Sequence, residues 1–379
     1  MRSSLKNKIL TFISEHHPIS PSLTRFPVPD TFWRSGLHRI TFRLANYYFT
    51  HFLLLRRKDR VFGYPSHLTV DVTNVCNLRC PLCPTGVGAP GRGKGSMSLA
   101  TFKKIVDEMG KYLISIDLFN WGEPLLNPDV YEMIAYAHKR GIVTSISSNF
   151  QYFNDRAAEK LVASGLDNLI LSIDGASQES YEKYRIGGDF QKAIDNISIL
   201  VKAKKNHSAG HPYIYWQYLM MKHNENEIET ARKLAEDLGV DKISFEHAYL
   251  PVSTEHEAMK WLPENPKNHR YDMGHLRKTW AEQGPRNDSP KDDHEGDREF
   301  RRRVNCSWLW TQTTINWDGS VSPCCAIYEP SHDFGNITDT SFKRVWNNRK
   351  YMASRRFSSK GETSDIETVC MRCPLAMHG

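Results

Sequence analysis

From Ser66 to His247 the spacing of apolar positions changes at regular intervals. Six short runs are rich in β-branched and aromatic residues: HLTVDVT, SIDLFN (Ser115 to Asn120), VTSISSN, NLILSID, YIYWQYLM and KISFEH. Between them lie longer stretches whose apolar residues recur every three or four positions. They are SLATFKKIVDEMGKY (Ser98 to Tyr112) behind a serine cap, DVYEMIAYAHKRG closed by Gly141, DRAAEKLVASG, FQKAIDNISILVKAKK and NEIETARKLAEDLG. Short β-rich runs predict strands and the longer period predicts helices. Their alternation predicts a parallel sheet with crossover helices, either curled into a partial barrel or doubly wound.

The rhythm stops near His247. Residues 251–303 are polar and highly charged and read as an insert or linker, partly mobile. His256, His269, His275 and His294 fall here, too widely spaced for a ligand set, and are expected on a solvated surface. Beyond them, TQTTINWDGSVSPCC predicts a hairpin turning at Asp318-Gly319. SFKRVWNNRKYMASRR predicts one basic helix, with Arg344, Arg349, Arg355 and Arg356 on a solvated face. Near the start, LANYYFTHFLLL (Leu44 to Leu55) is too short to span a bilayer as a helix. Arg39 and Arg43 precede it, and Arg56, Arg57, Lys58 and Arg60 follow. It suits a helix packed on the main domain, or one lying on a membrane surface. The first twenty residues show no signal-peptide pattern.

Composition adds limits. The 379 residues are 40% hydrophobic and 25% charged, as in a globular protein of one large and one smaller domain. A net charge of +7 suits an acidic partner or a membrane surface. There is no basic stripe with interleaved aromatics outside the N-terminal segment, so nucleic acid is not expected as a partner. The eight cysteines fall into two groups: Cys76, Cys80 and Cys83, then Cys306, Cys324, Cys325, Cys370 and Cys373. A disulfide scaffold would spread its cysteines through a small domain. Tight groups in a large chain point to metal and to a reducing, cytoplasmic compartment.

The first group follows the first strand, where α/β folds place active sites. Three thiolates hold three corners of an iron–sulfur cube and leave one iron open for an amine and a carboxylate. A structural zinc site needs a fourth ligand, and none lies nearby. The second group, with Cys370 and Cys373 as a CxxC, suits either a fully ligated cluster or a four-cysteine zinc site.

CNLRCPLC is a CxxxCxxC and resembles the signature of the radical S-adenosylmethionine (SAM) superfamily, departing from its common pattern at Leu82, where an aromatic is usual. Three further strand ends resemble that family: WGEP (Gly122, Glu123, Pro124), SSN (Ser147 to Asn149) and LSIDG (Leu171 to Gly175). The resemblance implies a partial (β/α)6 TIM-like barrel and a [4Fe–4S] cluster whose open iron binds SAM. It implies that Glu123 receives the methionyl ammonium, that Ser147 and Asn149 meet the ribose and carboxylate, and that Ser172 lies near the cofactor. Asp174 would lie in the substrate region and Arg185 at the SAM carboxylate. Strand-end capping is the plainer role for Ser147, Ser172 and Asp174, and a surface helix end for Arg185.

Cys306, Cys324, Cys370 and Cys373, with FGNI and Trp346, resemble the SPASM/Twitch extension of the same superfamily. This implies a small C-terminal iron–sulfur domain, a β-hairpin plus a helix, holding one auxiliary [4Fe–4S] cluster. Cys325 is left over, or replaces Cys324. The domains expected are a basic amphipathic extension over 1–65, the barrel over 66–250, the insert over 251–303 and the auxiliary domain over 304–379. The activity implied is reductive cleavage of SAM to a 5′-deoxyadenosyl radical and hydrogen abstraction from substrate. An electron would pass to the auxiliary cluster, and a donor such as flavodoxin or ferredoxin would supply the reductant. Residues 1–65 lack the strand signals of a winged-helix peptide-binding module. That favours a small polyol, sugar or lipid-linked substrate, with peptide maturation or redox-neutral epimerisation as the alternative. A zinc-stabilised binding protein is the alternative of another class. No catalytic acid or base stands out; Glu246, His247 and Tyr249 end the last strand, where core or capping roles are the plainer ones.

Overall fold

A computed structural model describes residues 29–34, 36–247, 260–268 and 306–373. Tyr249 and the four histidines of the polar insert lie outside the described residues.

The six expected strands form as β1 (His67–Val70), β2 (Ser115–Asp117), β3 (Val143–Ser148), β4 (Asn168–Ser172), β5 (Tyr213–Met220) and β6 (Lys242–His247). Each pairs in parallel with its neighbour in sequence. The sheet stays open, as in a partial barrel. The first short helices are α1 (Asp30–Arg34) and α2 (Leu37–Leu55). The crossovers are α3 (Leu99–Met109), α4 (Val130–His138), α5 (Asp155–Ser164), α6 (Gln178–Tyr184), α7 (Phe190–Asn206) and α8 (Ile228–Leu238). Short polar caps start several of them. The side chains of Ser98, Asn154, Ser177 and Asp189 each accept a backbone N–H from the first turn. Left-handed Gly165 and Gly239 end α5 and α8.

The two faces of the sheet differ. Leu68, Val70, Ile116, Leu118, Ile146, Leu169, Leu171, Ile214 and Trp216 join the main core shared with the helices. The residues between them are largely polar: His67, Thr69, Asp117, Ser145, Ser147, Ser172 and Gln217. Side chains alternate across a strand, so these line the concave wall.

The C-terminal part continues the same sheet. A single turn, α9 (Trp308–Thr311), leads into β7 (Gln312–Ile315), which pairs in parallel with β1 from His67↔Gln312 to Val70↔Ile315. The hairpin turns at Gly319, whose φ of 82° is in the left-handed region, and returns as β8 (Ser320–Ser322). Then β9 (Gly335–Asn336) completes a nine-stranded sheet. The basic helix expected from SFKRVWNNRKYMASRR is broken in two, α10 (Phe342–Trp346) and α11 (Arg349–Lys360). Asn348 makes the break, because its side chain accepts the N–H of Tyr351 and caps a new helix. Arg355 is not on a solvated face. It is fully buried, donates to the carbonyls of Leu309 and Asp59, and stacks over Trp346 at 4.4 Å.

At the other end, α2 crosses the N-terminal ends of the strands. Phe32, Ile40 and Tyr47 pack on Ile114 and Val143. Arg43, 1% exposed, donates to the carbonyls of Gly141, Gly110 and Arg140. Burial, then Arg39, pull its pKa down to about 10.

Candidate active site and metal centres

The loop after β1 brings the first three thiols together. The N–H of Cys83 bonds to the carbonyl of Cys80 at 3.1 Å, and Arg79 is tied to Ile186 at 3.0 Å. Gly86 closes the loop where a Cβ would lie 2.4 Å from the Cys80 carbonyl oxygen. Cys76, Cys80 and Cys83 interact electrostatically, and all three are free thiols. Burial pushes Cys76 up to about 11, and the Leu78 N–H opposes it while Glu123, Cys80 and Cys83 add to it. Burial also raises Cys80, with Arg185 opposing. Buried thiols that disfavour one another's ionisation suit a cationic iron–sulfur core, which reverses both effects.

The other candidates surround this loop. Gly122 fits because a Cβ there would stand 1.9 Å from the Thr73 carbonyl oxygen. Pro124 opens a short turn directly after Glu123. Glu123 is 2% exposed and is already well held. It accepts from Ser148 Oγ at 2.8 Å, Asn149 N at 2.8 Å and Leu125 N at 3.1 Å. Burial pushes it up to about 7 despite those bonds. Asn149 donates to Cys76 Sγ at 3.8 Å and to Asn77 at 3.0 Å. Ser147 and Ser172 bond to each other at 2.9 Å across adjacent strands. Asp174 is wholly buried. It accepts the N–H of Leu219 at 2.8 Å and pairs with Arg185 at 2.6 Å, so it anchors strand ends and the arginine. Arg185 also donates to Cys80 Sγ at 3.8 Å. Burial opposes its charge, but Asp174 and Cys80 outweigh it and raise its pKa. Arg185 does cap the end of α6, but its side chain is only 15% exposed and reaches inward to Asp174 and Cys80 rather than into solvent.

Sequence reasoning missed several neighbours of this site. Trp261 and Leu262, in the polar insert, pack into the group formed by Leu78, Cys80, Leu82 and Tyr184. Their signal was an apolar pair inside a charged stretch. Asp71 is wholly buried and accepts the N–H of Trp121. Its other oxygen has no hydrogen-bond partner among the described residues, and burial pushes its pKa up to about 7. His67 bonds to Ser115 Oγ at 2.7 Å and reaches Asp117 at 3.3 Å. Tyr215 and Gln217 both donate to Glu246 at 2.6 Å. His247 shares a bond with the Asn268 carbonyl at 2.7 Å. The alternation of His67, Thr69 and Asp71 with Leu68 and Val70 was the available clue to a polar inner wall.

The second group gathers beyond the hairpin. Cys324 interacts electrostatically with Cys370 and Cys306, and Cys306 and Cys370 each interact with Cys373. Cys325 also interacts electrostatically with Cys324, more strongly than Cys370 or Cys306 does, and with Asp117. Burial raises all of Cys306, Cys324, Cys325 and Cys370, the last to about 12. Ser354 on α11 bonds to Cys370, and Ser358 accepts the Cys306 N–H at 3.2 Å. Four clustered, half-buried thiols without disulfides suit one fully ligated cluster. Among the described residues, no three His, Cys, Asp or Glu side chains stand close enough to enclose a single ion.

Comparison with known families is decisive here. The family model described as the Radical SAM superfamily matches residues 70–238, and that of an iron–sulfur cluster-binding domain, SPASM, matches residues 306–374. The chain belongs to the radical SAM superfamily. Its SPASM domain lies at residues 306–374, and the pair of domains carries [4Fe–4S] clusters and binds SAM. This radical SAM protein is 30% identical over 176 residues to an AdoMet-dependent heme synthase of Methanosarcina barkeri, covering 46% of this chain and 48% of that one. The chain thus spans about half the length of that relative. It is 23% identical over 322 residues to a PqqA peptide cyclase of Ruegeria pomeroyi, covering 82% and 79%. Among solved structures, Streptococcus suis SuiB bound to S-adenosylmethionine matches with a TM-score of 0.59 at 14% identity, over 87% of this chain and 75% of that one. That likeness supports the open barrel fold.

Proposed function

We propose that this radical SAM protein modifies a peptide by hydrogen abstraction, in place of the small polyol, sugar or lipid-linked substrate expected from sequence. The observation that carries the reading is the alignment with a peptide cyclase over most of both chains.

Cys76, Cys80 and Cys83 would hold the open cluster, and Cys306, Cys324, Cys370 and Cys373 the auxiliary one. When reduced by a donor such as flavodoxin or ferredoxin, the open cluster with SAM supplies a 5′-deoxyadenosyl radical that removes a substrate hydrogen atom. Glu123 holds Ser148 through Oε1 and the Asn149 N–H through Oε2, and the remaining lone pair of Oε2 would accept the methionyl ammonium of SAM. Arg185, held by Asp174, neutralises charge beside Cys80 and would be the cation available to the SAM carboxylate. Ser147 and Ser172 present hydroxyls from the wall towards the ribose. Trp261, Leu262 and Tyr184 keep water from the reacting end. After hydrogen abstraction, oxidation and cyclisation would each lose a second electron and a proton, cyclisation also forming a bond, whereas epimerisation would return a hydrogen atom to the radical. Clustered cysteines reserved for metal fit a reducing, cytoplasmic setting.

The test is anaerobic incubation with SAM, dithionite and candidate substrates. Peptides should accelerate 5′-deoxyadenosine formation and change mass. Acceleration by sugars, polyols or tetrapyrroles alone would overturn the peptide reading. Cys76, Cys80 and Cys83 replaced together by Ala should abolish cleavage. Wild type should hold about eight irons and Cys324→Ser about four, while Cys325→Ser keeps about eight. Zinc without iron would reject the chemistry altogether.

A further inference from the structure

We propose that the outer face of α2 docks the protein on an anionic membrane surface. The inward face of this helix is committed to the barrel through Ile40, Arg43 and Tyr47. Its other face is apolar and open to solvent. Phe42 is 47% exposed, Phe49 42%, Phe52 49% and Leu55 79%. Phe42, Phe49 and Phe52 recur at helical spacing, so they form one stripe. Phe62, 71% exposed, follows just beyond the helix. Isolated exposed apolar residues are ordinary in proteins, but three phenylalanines in one helical stripe, with exposed Leu55 and Phe62 following in the chain, are not.

Charge identifies the occupant. Exposed Arg39, Arg56, Arg57, Lys58, Arg60 and Lys111 border the stripe. Leu37–Leu55 contains no Asp or Glu. Asp59, the first acid after it, is taken by Arg356 and Lys360 at 3.0 Å. Among the described residues, no carboxylate pairs with Arg39, Arg56, Arg57, Lys58 or Arg60. Arg56 lies over Phe52 at 5.3 Å and Arg60 over Phe62 at 5.7 Å, so cation and ring are presented together. Aromatic rings with a basic border match the headgroup level of an anionic bilayer. A second copy of this chain would set basic border against basic border. Residues 1–28 carry Arg2, Lys6, Lys8 and Arg25 against Glu15, so they do not supply the missing negative charge. No described helix is long and apolar enough to cross a membrane, which fits a helix that lies on one.

The experiment is co-sedimentation of the full-length protein with vesicles of phosphatidylcholine alone or mixed with phosphatidylglycerol. Binding is expected to the anionic vesicles, and to fall steeply with added salt. Arg56→Ser with Lys58→Ser should weaken it about fivefold for each cation removed. Phe42→Ser, Phe49→Ser and Phe52→Ser together should abolish it, with 5′-deoxyadenosine formation and the circular dichroism spectrum of wild type. Equal binding to neutral vesicles, or none to either, overturns the proposal. So does a dimer in light scattering that the phenylalanine variants turn into monomer without any vesicle binding.

Discussion

Asp167 precedes β4, and its carboxylate accepts the N–H and hydroxyl of Thr144 at 2.9 and 3.3 Å. Burial pushes it up to about 6, against hydrogen bonds from Thr31 and Thr144 and the charge of His211. A carboxylate raised in the folded state holds its proton more tightly there than in the unfolded chain. Its favourable contribution is complete below the unfolded value of about 4 and is lost as pH rises through about 6. Asp167→Asn removes that titration. Urea midpoints between about pH 4 and pH 7 should show wild type losing stability relative to the variant as pH rises. A constant gap would mean that Asp167 does not titrate in this window. Legibility also varies residue by residue. The three leading cysteines were legible because ligation demands close spacing. Arg355 was not, because a cation near aromatics in sequence does not reveal that it is buried among them.

At the scale of elements, strands and crossover helices were legible because period and caps agree locally. The break between α10 and α11 was not, because the apolar pattern runs through it. Only the second role of Asn348, donating to the Phe334 carbonyl while capping α11, fixes the boundary. Asn348→Ala should cost about 1 kcal/mol, read as a lower melting temperature. α11 also carries Ser354 and Ser358 to the second thiol group, so the variant should release iron from that site faster than wild type. Unchanged melting and iron retention would show the cap to be dispensable. The attachment of β7 to β1 was equally hidden, since pairing between residues 67 and 312 leaves no local trace.

For the whole molecule, Arg92 is the main tie between the loop of the first thiols and the C-terminal hairpin. It forms a double bond pair with Asp333 at 2.9 Å and donates to Ser320 and the Tyr328 carbonyl at 2.8 Å. Trp317 donates to Gly93 alongside it. Arg92→Ala leaves Asp333 buried without its cation, a loss of about 3 kcal/mol or more. Urea unfolding should show that drop, and Arg92→Ala with Asp333→Ala should recover part of it. No recovery would mean that the two do not act as a pair.

The union of β1 with β7 has its own consequence. The first thiols leave the far end of β1, while Cys306 enters through α9 at the near end and Cys324 returns there after β8. The two thiol groups thus flank opposite ends of one ladder of four paired residues, whose three steps span about 10 Å at roughly 3.3 Å each. Both groups are therefore anchored to one continuous sheet, so a change in the pairing of β1 with β7 would displace them together, which a flexible tether between two separate bodies would not do.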